Sequence, residues 1–283
     1  MILKKLRRIK IYLLIAQYLL VKTYSSNSDR LIRNIVLKTY QYGDGNSLKY
    51  TISVFSKRVA NVVLRKISKY FRINLHNKDF STVKPKSSTS QDYYSLSGQD
   101  LFVNYLIGNV SSKSYYVEIG AGWPIKINNT YLLEHKNKWL GISVDFDQKM
   151  VDSFNDIRKN ECLYLDATRV NYTDLFAARK IPNTIDYLSL DIDPAHQTLC
   201  VLALMPFETY KFKILTFEHD SYRNGYLIKI VSRLFLRNYG YFCAFKNVKA
   251  TGFGKYEDWW IHPDYISRRH AREAVIKIKN RIN

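Results

Sequence analysis

The run YYVEIGAGWP at residues 115–124 constrains this chain more than any other stretch. An apolar strand runs into Glu118 and turns through Gly120, Ala121 and Gly122. Glycines at such a turn let the backbone pass close to a ligand and open into a helix N-terminus. A dinucleotide-binding turn needs a third glycine three residues after the second. That position is Ile125, with Pro124 just before it. The acidic residue of the turn also suits a cationic ligand better than a pyrophosphate.

Strand-length apolar runs alternate with helix-length segments from residue 98 onward. The expected strands are Ser114–Ile119, Leu140–Asp145, Leu163–Asp166, Ile185–Asp191 and Lys213–Phe217. A final pair lies near Tyr241–Val248 and Trp259–His262. Gln148–Arg158, Ala195–Leu204 and Leu227–Arg237 read as helices. This alternation predicts an α/β, Rossmann-like sheet, mostly parallel, with helices on both faces and a C-terminal antiparallel hairpin.

In such a sheet ligands sit beyond the carboxyl ends of the strands. All five parallel strands end in acidic residues: Glu118; Asp145; Asp166, followed by Ala167; Asp191 with Asp193; and Glu218 with Asp220. A carboxylate such as Asp145 can accept both ribose hydroxyls of a nucleoside. Asp166-Ala167 is placed to meet an adenine amino group. A lone strand-end Asp is ordinary turn chemistry. The series, together with the glycine turn, points to S-adenosylmethionine (SAM).

The motifs GQDLFV (98–103), YYVEIGAGWP, NNTYLLE (128–134), WLGISVD (139–145), IDYLSLDID (185–193), ILTFEHD (214–220) and YEDWWIHP (256–263) occur in this order. This set resembles the FkbM-type methyltransferases, SAM-dependent O-methyltransferases associated with sugars, glycans and natural products. The resemblance covers about residues 91–263. It implies cofactor contacts at Gln99, Glu118, Gly120, Gly122, Asp145 and Asp166, with Ala121, Ala167 and Asp191 beside them. The chain departs from the family at Trp123-Pro124 and at Asp193-Pro194. The resemblance implies transfer of a methyl group to a hydroxyl of a sugar, glycan or lipid-linked saccharide.

Methyl transfer to a hydroxyl requires in-line placement and removal of a proton. Asp191, Asp193, His196, Glu218, His219 and Asp220 are expected to converge at one mouth. Asp193, His196 and His219 are the candidate catalytic groups. By analogy with catechol and macrolide O-methyltransferases, Asp191, Glu218 and His219 would ligate Mg²⁺ or Mn²⁺. A metal-free site with His219 as base is the other reading, and His196 can equally be structural. Trp259-Trp260 can place one ring in the core and one against a sugar face, because strand neighbours point oppositely.

Charge divides the chain. Residues 1–90 carry 19 Lys and Arg against three Asp, a net of +16, whereas residues 91–262 are neutral. Residues 264–283 read as a basic C-terminal helix or tail. Within 1–90, basic residues 4–10 precede an apolar run, 11–21, too short at about 16 Å to cross a bilayer core of about 30 Å. This start also has the outline of a signal peptide, although Lys22 and Tyr24 make a poor approach to a cleavage site. Residues 47–74 read as a basic amphipathic helix and 78–91 as a linker. A helical cap, an anionic membrane surface and nucleic acid each suit residues 1–75, nucleic acid least, since no zinc-finger, RNP or GXXG motif accompanies them. The three cysteines lack metal spacing and read as buried thiols of a reducing, cytoplasmic setting, with peripheral membrane attachment an extension. Two alternatives to a sugar O-methyltransferase stand: an RNA 2′-O-methyltransferase steered by the basic arm, and a non-catalytic SAM-binding scaffold.

Overall fold

The structure is a computed structural model that describes residues 93–108, 114–224, 226–250 and 254–282. The readings made for residues 1–90 fall outside the described residues. In chain order the elements are α1 (Gln99–Ile107), β1 (Tyr115–Ile119), α2 (Tyr131–His135), β2 (Leu140–Asp145), α3 (Gln148–Ile157) and β3 (Glu161–Tyr164). A 3₁₀ turn at Ala167–Arg169 leads to α4 (Tyr172–Ala178), β4 (Thr184–Leu190), α5 (Ala195–Leu204), β5 (Lys211–Glu218) and α6 (Ser221–Asn224). The chain closes with α7 (Leu227–Asn238), β6 (Phe242–Lys249), β7 (Lys255–Ile261) and α8 (Arg268–Ile282).

The strands form one sheet in the order β3-β2-β1-β4-β5-β7-β6. The first five are parallel, and β7 runs antiparallel to both β5 and β6. This is the predicted α/β, Rossmann-like sheet. The hairpin folds back so that the later strand, β7, is the one that pairs with β5. The strand order reverses at β1, between β2 and β4, and this is the switch point at which such sheets bind ligands.

Strand alternation builds two cores. Tyr116, Tyr187, Ile214, Trp259 and Ile261 join Leu101, Phe102, Leu133, Ala274 and Ile278 in one buried cluster, which places α1, α2 and α8 on that face. Val117, Leu188, Leu215 and Trp260 alternate with them, point to the other face and are also fully buried. Both tryptophans are therefore interior, and the expected sugar-stacking ring is corrected. Trp259 packs between Phe102 and Phe245, with ring centroids 4.9 and 5.1 Å away. A sheet covered on both faces leaves no side for an outward ring.

Local signals explain the entries to the cleft. Asp147 caps α3 by accepting from the backbone of Lys149 and Met150. Asp166 caps the 3₁₀ turn through Thr168. The strand β3 stops at Tyr164, two residues before the expected end, because Asp166 is taken up by that cap. Gly141 pairs with Tyr116 across β1 and β2, and a Cβ on it would lie 2.6 Å from the tyrosine ring.

Candidate cofactor cleft and acidic mouth

A cleft of about 800 Å³ opens beyond the carboxyl ends of β1, β2, β3 and β4. Gly120, Ala121, Gly122, Asp145, Asp166, Ala167, Asp191 and Asp193 all line it, as expected from the sequence. The two glycines serve different ends. Gly120 has φ 85°, and a Cβ there would sit 1.7 Å from the Asp191 carbonyl oxygen, so the β1 turn lies directly on the end of β4. Gly122 has φ 56° and nothing within 4 Å of an added Cβ, so only its backbone conformation calls for glycine.

The turn is tied to β2 by its own amides. Gly120 N–H donates to Val144 O at 2.9 Å, and Gly122 N–H donates to Asp145 Oδ2 at 2.8 Å. Asp145 Oδ1 accepts from Asp147 N–H at 2.9 Å. Each carboxylate oxygen therefore keeps a lone pair for a ligand hydroxyl. The Asp166 carboxylate is engaged by Thr168 at 2.6 Å and by Arg169 at 3.1 Å, so it shapes its loop while it lines the cleft. Trp123 is exposed on the cleft wall, and Ile127 and Phe146, also exposed, add apolar surface that the sequence reading did not assign. Gln148 and Gln197 were also missed; a polar residue opening a helix carries no ligand signal of its own.

Glu118 is corrected from a cofactor contact to the anchor beneath the turn. It is 1% exposed and lies outside the cleft lining. Its Oε2 accepts from Thr130 Oγ1 at 2.9 Å, Ser143 Oγ at 2.8 Å and Asn128 Nδ2 at 3.4 Å. Asn128 also donates to Ala121 O at 3.1 Å. Buried Arg158 completes the frame, donating to Pro124 O at 2.9 Å, Thr130 Oγ1 at 3.1 Å and Glu134 Oε2 at 2.8 Å. The NNTYLLE stretch is thus scaffolding for the glycine turn. Burial pushes the Glu118 carboxyl up to about 7 against the pull of Arg158. Burial also opposes ionisation of Glu134, but Arg158 outweighs it and the pKa falls.

Gln99 is corrected in the same way. It is 1% exposed and donates to Glu257 at 2.9 Å and to the Tyr256 hydroxyl at 3.0 Å, tying α1 to β7. His196 stands on the first turn of α5 and does not line the cleft; its neighbour Gln197 does.

The strand-five end corrects the histidine readings. The Glu218 and Asp220 carboxylates come together, whereas the His219 ring turns into the interior. His219 is fully buried, with Nε2 3.6 Å from Asp258 Oδ1 and Nδ1 accepting from Ser221 N–H at 3.2 Å. Burial lowers its pKa despite Asp258. Burial opposes the Asp258 charge too, but Arg233, at 2.6 and 2.8 Å, holds that carboxylate far below its usual range. His219 is a neutral interior group, neither a metal ligand nor a base facing substrate. Asp191, Asp193, Glu218 and Asp220 do converge. Burial and the other three carboxyls push Glu218 up to about 12, and burial raises Asp191 and Asp220.

No family model matches the chain, and no curated protein matches it. Among solved structures it is similar to the Dnmt2 methyltransferase of S. pombe, at 12% identity and TM-score 0.37, over 53% of this chain and 49% of that one. A SAM-dependent methyltransferase from Archaeoglobus fulgidus is similar at 16% identity and TM-score 0.34, over 50% of this chain and 65% of that one. Human methyltransferase-like protein 13, solved in complex with SAH, is similar at 12% identity and TM-score 0.37, over 65% of this chain and 89% of that one. The chain spans about half the length of the Dnmt2 chain.

Proposed function

We propose that the chain is a SAM-dependent O-methyltransferase of the FkbM type, acting on a hydroxyl of a sugar, glycan or lipid-linked saccharide. One observation carries the cofactor reading: the Gly120–Gly122 turn and the Asp145 carboxylate face one cleft of about 800 Å³, within the usual range for a small-molecule site. The donor set fits the cofactor. Asp145 meets the ribose hydroxyls, the apolar surface of Phe146 and Leu165 covers the adenine, and Asp191 meets the amino acid end. SAM supplies an electrophilic methyl group. The chain supplies position and proton handling. Asp193, exposed at the cleft mouth, is the carboxylate available to act on the acceptor hydroxyl, as its proton acceptor or through a bound cation, once His219 is buried.

The test is calorimetric titration with SAH. Asp145→Ala is expected to weaken SAH binding at least tenfold while leaving the thermal transition within a few degrees. Binding unchanged by Asp145→Ala would remove the cofactor reading. The basic N-terminal region favours a second reading as an RNA 2′-O-methyltransferase. Methyl transfer to RNA but not to saccharide acceptors would select it.

A further inference from the structure

We infer that the cleft mouth is a divalent-cation site built from Asp193, Glu218 and Asp220. One carboxylate oxygen from each lies within 4.8 Å of the others. Oxygen ligands about 2.0–2.6 Å from one hard cation have this spread. The ligand set is all oxygen, which selects Mg²⁺ or Mn²⁺ over softer metals.

A second observation points to an occupant. Asp220 is 1% exposed, and its Oδ1 has no hydrogen-bond partner. Buried acceptors of this kind are costly unless something satisfies them. The backbone is shaped to hold them there. His219 N–H and Asp220 N–H both donate to Tyr256 O, at 2.7 and 2.9 Å, and Asp220 has φ 44°. Two residues at the end of β5 thereby oppose one of β7, a bulge that re-aims a side chain. Arg223 Nη1 lies 3.8 Å from Asp220 Oδ2, and its side chain is 53% exposed. It cannot neutralise four carboxyls that include Asp191 and Asp193.

Asp193 belongs to both the cation set and the cleft lining, so the ion would face the acceptor side of the cleft. There it would hold paired acceptor oxygens, such as those of a vicinal diol. That role rests on the methyltransferase reading; cation binding itself does not.

The test uses the full chain, stripped with chelator and titrated with Mn²⁺ alone, with binding read by electron paramagnetic resonance. One ion per chain with a sub-millimolar Kd, displaced by Mg²⁺, is expected. Asp193→Asn and Asp220→Asn should each weaken Mn²⁺ binding at least tenfold. Exposed Asp193 keeps the test sound if Asp220→Asn fails to fold. Protein that binds SAH but no Mn²⁺ up to about 5 mM would overturn the cation site. Mn²⁺ binding untouched by Asp193→Asn would do the same. Mn²⁺ binding without SAH binding would keep the cation site and remove the cofactor reading.

Discussion

At the scale of single residues, the glycine turn separates into two physical requirements. Gly120 needs both a positive φ and the absence of a Cβ, because the β4 backbone lies against it. Gly122 needs only the positive φ. Gly122→Ala is therefore expected to cost about 1 kcal/mol. Gly120→Ala should cost more than about 2 kcal/mol, because strain and collision add. Urea unfolding of the two variants checks the order, and equal losses would contradict the distinction. Sequence alone put both glycines in the turn after β1 but could not separate their roles. The Asp191 carbonyl that decides the matter is 71 residues away from Gly120 in the chain.

At the scale of elements, the turn between β1 and α2 is held from below by a polar frame. Glu118 comes from β1, Ser143 from β2, Thr130 from the entry to α2 and Arg158 from the end of α3. Glu118 has a folded pKa of about 7 against an ordinary value of 4.5. Between those values the folded chain keeps a proton that the unfolded chain releases, so stability falls as pH rises through this window and levels off above it. The shift corresponds to about 3 kcal/mol. Glu118→Gln should abolish this decline. Urea midpoints at pH 5 and pH 8 are the measurement: wild type should lose stability relative to the variant on going to pH 8. Parallel changes in the two proteins would rule out Glu118 as the source. The motif that suggested the family, NNTYLLE, was legible as a signature, whereas its purpose emerged only from Arg158. An Arg in a helix-terminal context gives no sequence sign of being buried.

At the scale of the molecule, charge and topology are separate features. The doubly wound region is neutral overall, and the excess of +16 lies in residues 1–90. Attachment of this basic segment to an anionic membrane is a proposal that rests on charge alone, each Lys or Arg near such a surface contributing about 1 kcal/mol. Replacing Lys4, Lys5, Arg7, Arg8 and Lys10 by Ser in the full chain should reduce co-sedimentation with phosphatidylserine vesicles by at least tenfold at 0.1 M salt. SAH affinity should stay the same. Vesicle binding unchanged by these replacements, or absent in the wild type, would remove the proposed membrane role of this segment.

The sequence by itself determined the class of fold, the approximate strands and the glycine and acidic part of the cleft wall. These depend on local alternation and on turn residues at strand termini, which are written in consecutive positions. The tertiary structure alone decided which chemical groups reach the cleft. It turned Glu118 and Gln99 inward, buried His219 against Asp258 and covered both tryptophans. The convergence of Asp193, Glu218 and Asp220 was legible from their places at neighbouring strand ends, whereas the exclusion of His196 and His219 from that mouth was not. Burial and side-chain direction follow from what packs on each face, and that is set by the pairing of distant segments.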